Sequence, residues 1–465
     1  MPRANSTSLR DRLALWADRQ DNYLHGNRSS INLTTFLQGT SLNVPLAALH
    51  ERSVLISTED QLTSALTLIE LDGVASRIVL CPTDVPRDYY SQVVATAEID
   101  AVITSSKMDE LNKLPIPVRS VSSPTITPVI APKLERIETE WVLFTSGTAG
   151  TPKMVRHSLA GLTGAIKASP KVDRPIVWGT FYDIRRYGGL QIFLRAIFDG
   201  ASLVLSDFAE PAGEHLVRLG ERGLTHISGT PSHWRRALMS PQRDAIRPCY
   251  VRLSGEIADQ PILDNLRLAY PEARIVHAYA STEAGVGFEV LDCREGFPLS
   301  VIDDAGEATF AIKDGVLRVR SPRAAQGYVG AQGMPLVAED GFVETGDVVE
   351  RRGDRYYFVG RSDGIINVGG LKVHPQEVEA VINRHRCVWM SQVRAQKSPV
   401  TGSIVVAEVV LREGFGNLGD EKEALKHEIL GCCQAALDRH KVPALIRFVP
   451  ALKVTANGKL ERRYA

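Results

Sequence analysis

Trp141-Val-Leu-Phe144 runs without interruption into Thr145-Ser146-Gly147-Thr148-Ala149-Gly150-Thr151-Pro152-Lys153, and that junction constrains the fold more than any other part of the chain. A short apolar run of this kind reads as a buried strand. The segment after it suits backbone exposure: glycines let main-chain amides approach an anion, hydroxyls add donors, and a lysine closes the loop with positive charge. Such a strand–loop step grips phosphate. It differs from the loop of kinases and GTPases, which needs Gly-Lys followed directly by Ser or Thr, because Lys153 follows Pro152 and precedes Met154. Taken alone, a stretch rich in Gly, Ser and Thr also suits a plain surface turn.

Similar strands recur on both sides of the loop. Residues 53–56, 76–80 and 99–104 are short apolar runs separated by helix-like stretches, and the alternation resumes at 176–179, 201–205 and 275–279. That rhythm predicts βα units and a parallel sheet. Between the two series, Pro124, Pro128 and Pro132 rule out one continuous helix over 118–132 and predict a connection between subdomains. Near residue 342 the pattern changes. Val348 to Val359 predicts a hairpin turning at Arg352-Gly353-Asp354. A small α+β segment follows, with a helix opened by Pro375, a strand over Ser403–Leu411 and a helix over Glu421–Arg439.

At 465 residues the chain exceeds the roughly 250 to 300 residues at which single cores stop growing, so two or three subdomains are expected. Its 54 basic and 54 acidic side chains cancel, which predicts no nucleic-acid partner and no electrostatic membrane anchor. The six cysteines are scattered, with neither a Cys-x-x-Cys pair nor zinc-ligand spacing, and suit reduced thiols. Asp11 and Asp18 argue against a transit peptide, and no apolar run reaches the ~18 residues of a membrane span. These features predict a soluble, cytoplasmic protein.

Further segments stand in a telling order: Leu253-Ser254-Gly255-Glu256, His277-Ala278-Tyr279-Ala280-Ser281-Thr282-Glu283, Glu344-Thr345-Gly346-Asp347, Gly360-Arg361-Ser362-Asp363-Gly364, Ile365 to Glu379, and Thr455-Ala-Asn-Gly-Lys459-Leu-Glu-Arg462. With the loop at 145–153 they resemble the motifs of the acyl-adenylate-forming superfamily of AMP-dependent synthetases and ligases. That superfamily includes acyl-CoA synthetases, firefly luciferase and the adenylation domains of peptide synthetases. The resemblance covers the chain from about Trp141 onward and is weaker before it. It implies an α/β fold: a large N-terminal domain of βα-layered subdomains with a distorted barrel (residues 1–360), joined by a hinge to a small, mobile C-terminal α+β domain (361–465). It also implies an enzyme that uses ATP and Mg²⁺ to turn a small-molecule carboxylic acid into an acyl adenylate, releasing pyrophosphate. The acyl group then passes to a thiol, that of CoA or, as an alternative, the phosphopantetheine of an acyl carrier protein.

The resemblance assigns roles residue by residue. Thr145, Ser146, Gly147, Thr148, Gly150, Thr151 and Lys153 would hold ATP. Ser254, Gly255 and Glu256 would face one side of the adenine, and Ala278, Tyr279, Ala280 and Ser281 the other, with the Tyr279 ring stacked on it. Thr282 would bond the α-phosphate and Glu283 would hold Mg²⁺. Asp347 would accept the ribose hydroxyls, with Arg361 assisting. Asp363 would be the hinge, Gly369 and Gly370 an extended backbone beside the thiol tunnel, and Lys459 the catalytic lysine between substrate carboxylate and α-phosphate. Arg186, Tyr187, Gly189, Ile227, Gly229 and Gly285 would line the acid pocket. Arg185 or Arg186 suits a pyrophosphate oxygen, a second substrate carboxylate, or merely solvent.

Departures from the family pattern are Ala280 in place of glycine, Lys453-Val454 in place of Pro-Lys, and a short stretch before the first sheet. Either a monomer or a homodimer is consistent with the sequence. A reading of different class, a catalytically silent nucleotide-binding regulator, is disfavoured by the joint presence of Glu283, Asp347 and Lys459.

Overall fold

A computed structural model describes residues 8–19, 21–105, 111, 113–129, 134–145, 153–167, 174–303, 306–330, 335–398, 402–415, 421–455 and 459–462. Two eight-stranded sheets form its bulk. In one, the strands Glu140–Phe144, Arg77–Leu80, Ser53–Ser57, Ala101–Thr104 and Val118–Pro128 lie side by side in parallel. In the other, Ser202–Val204, Val177–Thr180, His226–Gly229, Tyr250–Ser254 and Arg274–Ser281 do the same. Antiparallel strands extend both sheets, Met154–Ser158 beside Glu140–Phe144 and Gly285–Val290 beside Arg274–Ser281.

Alternate residues of these strands enter different cores, as the two-residue period of a strand requires. Ile78, Leu80, Trp141 and Leu143 face one apolar cluster, whereas Val79, Val142 and Phe144 face another. The first cluster also contains Trp178, Leu203 and Val276 from the second sheet, so the sheets share a core. Helix Gln61–Leu71, buried along its whole length, and helix Tyr187–Asp199 fill the space between them. Sheets covered on both faces explain why the strands read as nearly unbroken apolar runs.

The stretch expected to be a connection is instead a strand, Val118–Pro128. Its prolines are accommodated because it changes partner midway. Val118 to Val121 pair in parallel with Ala101–Thr104, and Ser122, Thr127 and Pro128 pair antiparallel with Gly39–Leu42. Pro124 falls where the register shifts and no ladder bond is required of it.

A third, antiparallel sheet of five strands stands where the resemblance implied a barrel. It includes Val343–Arg352 and Arg355–Arg361, whose hairpin turns through Gly353 and Asp354 as the sequence predicts. Beyond it, a two-stranded and a three-stranded sheet pack with helices Pro375–Ile382 and Glu421–Ala436 around a separate core of Ile366, Val378, Ile382, Val405, Ile429 and Ile446. Among the described residues no helix is long and apolar enough to cross a membrane.

Candidate active site

The parallel strands of both large sheets end on loops, the place where open α/β sheets hold ligands. Phe144 ends one strand, and Thr145 N donates to Lys153 O at 2.9 Å, closing the neck of the glycine-rich loop. The loop residues Ser146, Gly147, Thr148, Gly150 and Thr151 lie outside the described residues. At its far end, Lys153 Nζ stands 5.6 Å from the centroid of the Tyr328 ring. Burial and then the Glu283 carboxylate raise the Tyr328 phenol above its ordinary pKa, so Lys153, Tyr328 and Glu283 form one neighbourhood. Arg186 reaches the same neck: it pairs with Asp84 and approaches Phe144 O at 3.5 Å. Arg185 is not solvated. It is buried, paired with Asp183 and bonded to the Thr58 carbonyl at 2.6 Å.

Strand Arg274–Ser281 brings Ala278 beside Ser254 and carries Tyr279 to the cleft. A register shift between Tyr279 and Ala280 loosens the pairing with Gly285–Val290, and Ser281 Oγ accepts from Ala284 N at 2.9 Å. Thr282 and Glu283 thereby occupy a tight turn ending at Gly285. There φ is +78°, and a Cβ would come within 2.5 Å of Arg323 O, so only glycine fits. The Tyr279 ring lies nearly parallel to Phe288 and Phe358, with centroids 5.5 and 5.3 Å away. Its hydroxyl donates to Asp347 Oδ2 at 2.7 Å. Arg361 Nη1 reaches the other Asp347 oxygen at 3.3 Å, and Arg361 Nε donates to Asp363 at 3.0 Å. Burial holds the Asp347 carboxyl above its ordinary pKa, against the pull of Arg361, Tyr279 and Lys459.

Lys459 comes from the far end of the chain to the end of strand Tyr250–Ser254. Gly255, at φ +86°, leaves room for it: a Cβ there would lie 3.3 Å from Lys459 Cε. Burial lowers the Lys459 pKa, while Glu256, Asp347 and Glu283 raise it and Arg361 lowers it further. The Glu256 carboxylate accepts from Ser232 N at 2.9 Å and from Leu460 N at 3.0 Å. Thr455 N donates to Lys459 O at 2.8 Å. Ser254 is bonded by the buried Tyr182 hydroxyl, which donates to its carbonyl at 2.8 Å.

Other predicted residues are placed differently. Gly369 and Gly370 do not form an extended backbone. With φ of +57° and +88° they make the two-residue turn between strands Ile366–Val368 and Leu371–Val373, and a Cβ at either would meet nothing within 4 Å. Paired positive φ values are what such a turn demands, and glycine supplies them. Ile227 faces the core with Leu216, Leu219 and Trp234. Gly189 allows its helix to approach Asp183, whose carbonyl oxygen would be 2.2 Å from a Cβ. Gly229 lies against Phe181 at 2.7 Å by the same measure, and Tyr187 is buried in the shared core.

Sequence reasoning missed a polar set joining the small C-terminal unit to the rest. Asp259 is bidentate to Arg235 Nη2 at 2.6 Å and accepts from Asn383 Nδ2 at 3.1 Å. Trp389 Nε1 donates to Arg235 O at 3.1 Å, and Arg384 pairs with Glu295 at 2.8 Å. Nothing in the local sequence marks these as partners, since each pairing joins residues far apart in the chain.

Among the described residues no three His, Cys, Asp or Glu side chains gather into a metal cage. A magnesium ion that travels with nucleotide phosphates needs only one or two carboxylates, and Glu283 has that chemistry.

Comparison with known proteins gives the same frame. Residues 68–329 match the AMP-binding enzyme family and residues 377–459 its C-terminal domain. The 2-succinylbenzoate–CoA ligase of Listeria innocua is 25% identical over 385 residues, covering 80% of this chain and 77% of that protein. The mitochondrial acyl-coenzyme A synthetase ACSM5 of Homo sapiens is 24% identical, covering 69% of this chain and 59% of that protein. Of solved structures, the benzoate CoA ligase from Burkholderia xenovorans superposes with a TM-score of 0.78 at 20% identity, over 98% of both chains. The anthranilate CoA ligase AuaEII with anthranoyl-AMP gives 0.77 at 17%, over 97% of this chain and 95% of its own. These two likenesses establish the fold. The two family matches cover both the sheets that bear the cleft and the small unit that carries Lys459: the chain belongs to the AMP-binding enzyme family.

Proposed function

We propose that this protein is an AMP-forming acid–thiol ligase: it activates a small-molecule carboxylic acid as an acyl adenylate at the expense of ATP and passes the acyl group to CoA. The observation that carries this reading is the arrival of Lys459 at Gly255, within electrostatic reach of the Glu256, Asp347 and Glu283 carboxylates. A cation there faces the charge that builds as a carboxylate oxygen bonds to the α-phosphorus and the bond to pyrophosphate breaks. Asp347 holds the ribose hydroxyls, Thr282 the α-phosphate, and Thr145 to Lys153 the departing phosphates. The ring of Tyr279 meets the adenine on whatever surface Phe288 and Phe358 leave open. Glu283 is the carboxylate that would hold magnesium, which would supply charge neutralisation at the phosphates when bound. No side chain needs to form a covalent bond, so catalysis is positioning and electrostatics.

In the second step the thiol sulfur bonds to the acyl carbon and AMP leaves. The small unit, residues 361–465, turns about Asp363, withdraws Lys459 and brings the Gly369-Gly370 turn to the cleft. CoA as acceptor is supported by the names of the relatives, which are CoA ligases and acyl-coenzyme A synthetases. The free cysteines suit a reducing cytoplasm. The test is ATP–pyrophosphate exchange across fatty, aryl and amino acids, followed by thioester formation with CoA and with a holo carrier protein. At least one acid supports exchange, Lys459→Ala lowers that exchange about 10²- to 10³-fold, and CoA outcompetes the carrier. Absence of exchange with every acid would return the protein to the class of silent nucleotide binders.

A further inference from the structure

We infer that Glu256 is the positioning residue that seats Lys459 for the first half-reaction. Its two carboxylate oxygens hold backbone amides from opposite walls of the cleft. One amide is Ser232 N at 2.9 Å, in the first turn of helix Pro231–Met239, and the other is Leu460 N at 3.0 Å, directly after Lys459. The first turn of a helix leaves amides without intrahelical partners and carries partial positive charge, so a carboxylate is stabilised there. Bonds of this kind to an ionised acceptor are about twice as strong as neutral ones. Glu256 therefore fastens the peptide beside Lys459 to a rigid wall of the large unit.

The surroundings agree with that function. Gly255 has no side chain, so Lys459 passes close over it on the way to Asp347. Thr455 N donates to the Lys459 carbonyl at 2.8 Å, so the peptide unit that follows the lysine is held at both its oxygen and its amide. The clamp belongs to the docked position only, because any rotation that withdraws Lys459 must break the bond from Leu460. Glu256 thus acts in adenylation and is released before thiol transfer. This inference rests on the adenylating role proposed for Lys459.

The test compares wild type, Glu256→Gln, Lys459→Ala and the double variant, using an acid active in exchange. Glutamine keeps the size of the side chain but puts an amide donor where one of the two acceptors stood. Misplacing a catalytic group by an ångström costs up to about 100-fold. Glu256→Gln is expected to lower the exchange kcat about 10- to 100-fold, with the KM for ATP within about threefold. The variant unfolds cooperatively in urea with a midpoint close to that of the wild type, which shows it is folded. Because the glutamate acts through the lysine, the double variant is no slower than Lys459→Ala alone.

A pH profile adds a readout that a merely structural role would not move. The ammonium is faced by Glu256, Asp347 and Glu283, which raise its pKa, and by Arg361, which lowers it. Removing one of the three carboxylates shifts the alkaline fall of the exchange rate to lower pH. A multiplicative loss in the double variant, a rise in KM for ATP in place of the fall in kcat, or an unmoved alkaline limb would overturn the inference. Full exchange activity in Lys459→Ala would overturn the reading of the lysine and this inference with it.

Discussion

Tyr279 has an apolar and a polar task at once. Its ring packs among Phe288 and Phe358 while its hydroxyl donates to Asp347. Tyr279→Phe keeps the ring and removes one donor from the half-buried Asp347 carboxyl, so the unfolding free energy should fall by about 0.5 to 1.5 kcal/mol, read from urea denaturation. The motif around Tyr279 was legible because a local run of seven residues, His277 to Glu283, carries it. The roles of Glu256 and Asp259 were not, because their partners Leu460 and Asn383 lie 204 and 124 residues away. Arg185 stands next to Arg186 and looks like its twin, yet one is buried against Asp183 and the other guards the neck of the loop. Only the direction each side chain takes distinguishes them, and sequence spacing does not encode it.

At the scale of elements, apolar runs located the parallel strands well, since both faces of each sheet are covered. The proline-bearing strand Val118–Pro128 escaped notice because strand pairing that changes partner leaves no periodic trace. Helix Pro231–Met239 shows how closely local rules serve the cleft. Thr230 Oγ1 accepts from His233 N at 3.0 Å, Thr230 N donates to His233 Nδ1 at 3.1 Å, and Pro231 occupies the first turn. This reciprocal cap fixes the amide that Glu256 uses. Thr230→Ala should cost about 1 kcal/mol of stability, measured by chemical denaturation against wild type.

At the scale of the molecule, the two large sheets share one core while the unit after residue 361 has its own. A separate core lets the small unit move as one body in the rotation proposed above. Asp363 follows the last strand of the five-stranded sheet, and among the described residues its side chain bonds locally, to Arg361. Asp363→Pro fixes φ at the proposed pivot. It should leave pyrophosphate exchange largely intact and abolish thioester formation, and equal loss of both would place the pivot elsewhere. Asn383, Arg384 and Trp389 make polar contacts with the large unit, and the proposed rotation would have to break them.

The separation of Glu256 from Leu460 also has a chemical consequence. Acyl phosphate anhydrides are electrophiles that amines and water attack indiscriminately, so a half-assembled centre that made them would acylate its surroundings. Here the large unit, folded by itself, owns the phosphate loop and the carboxylates but not the lysine. On the role proposed for Lys459, the reagent is made only when both units are folded and docked on one another, and the thiol is admitted only after that docking is undone.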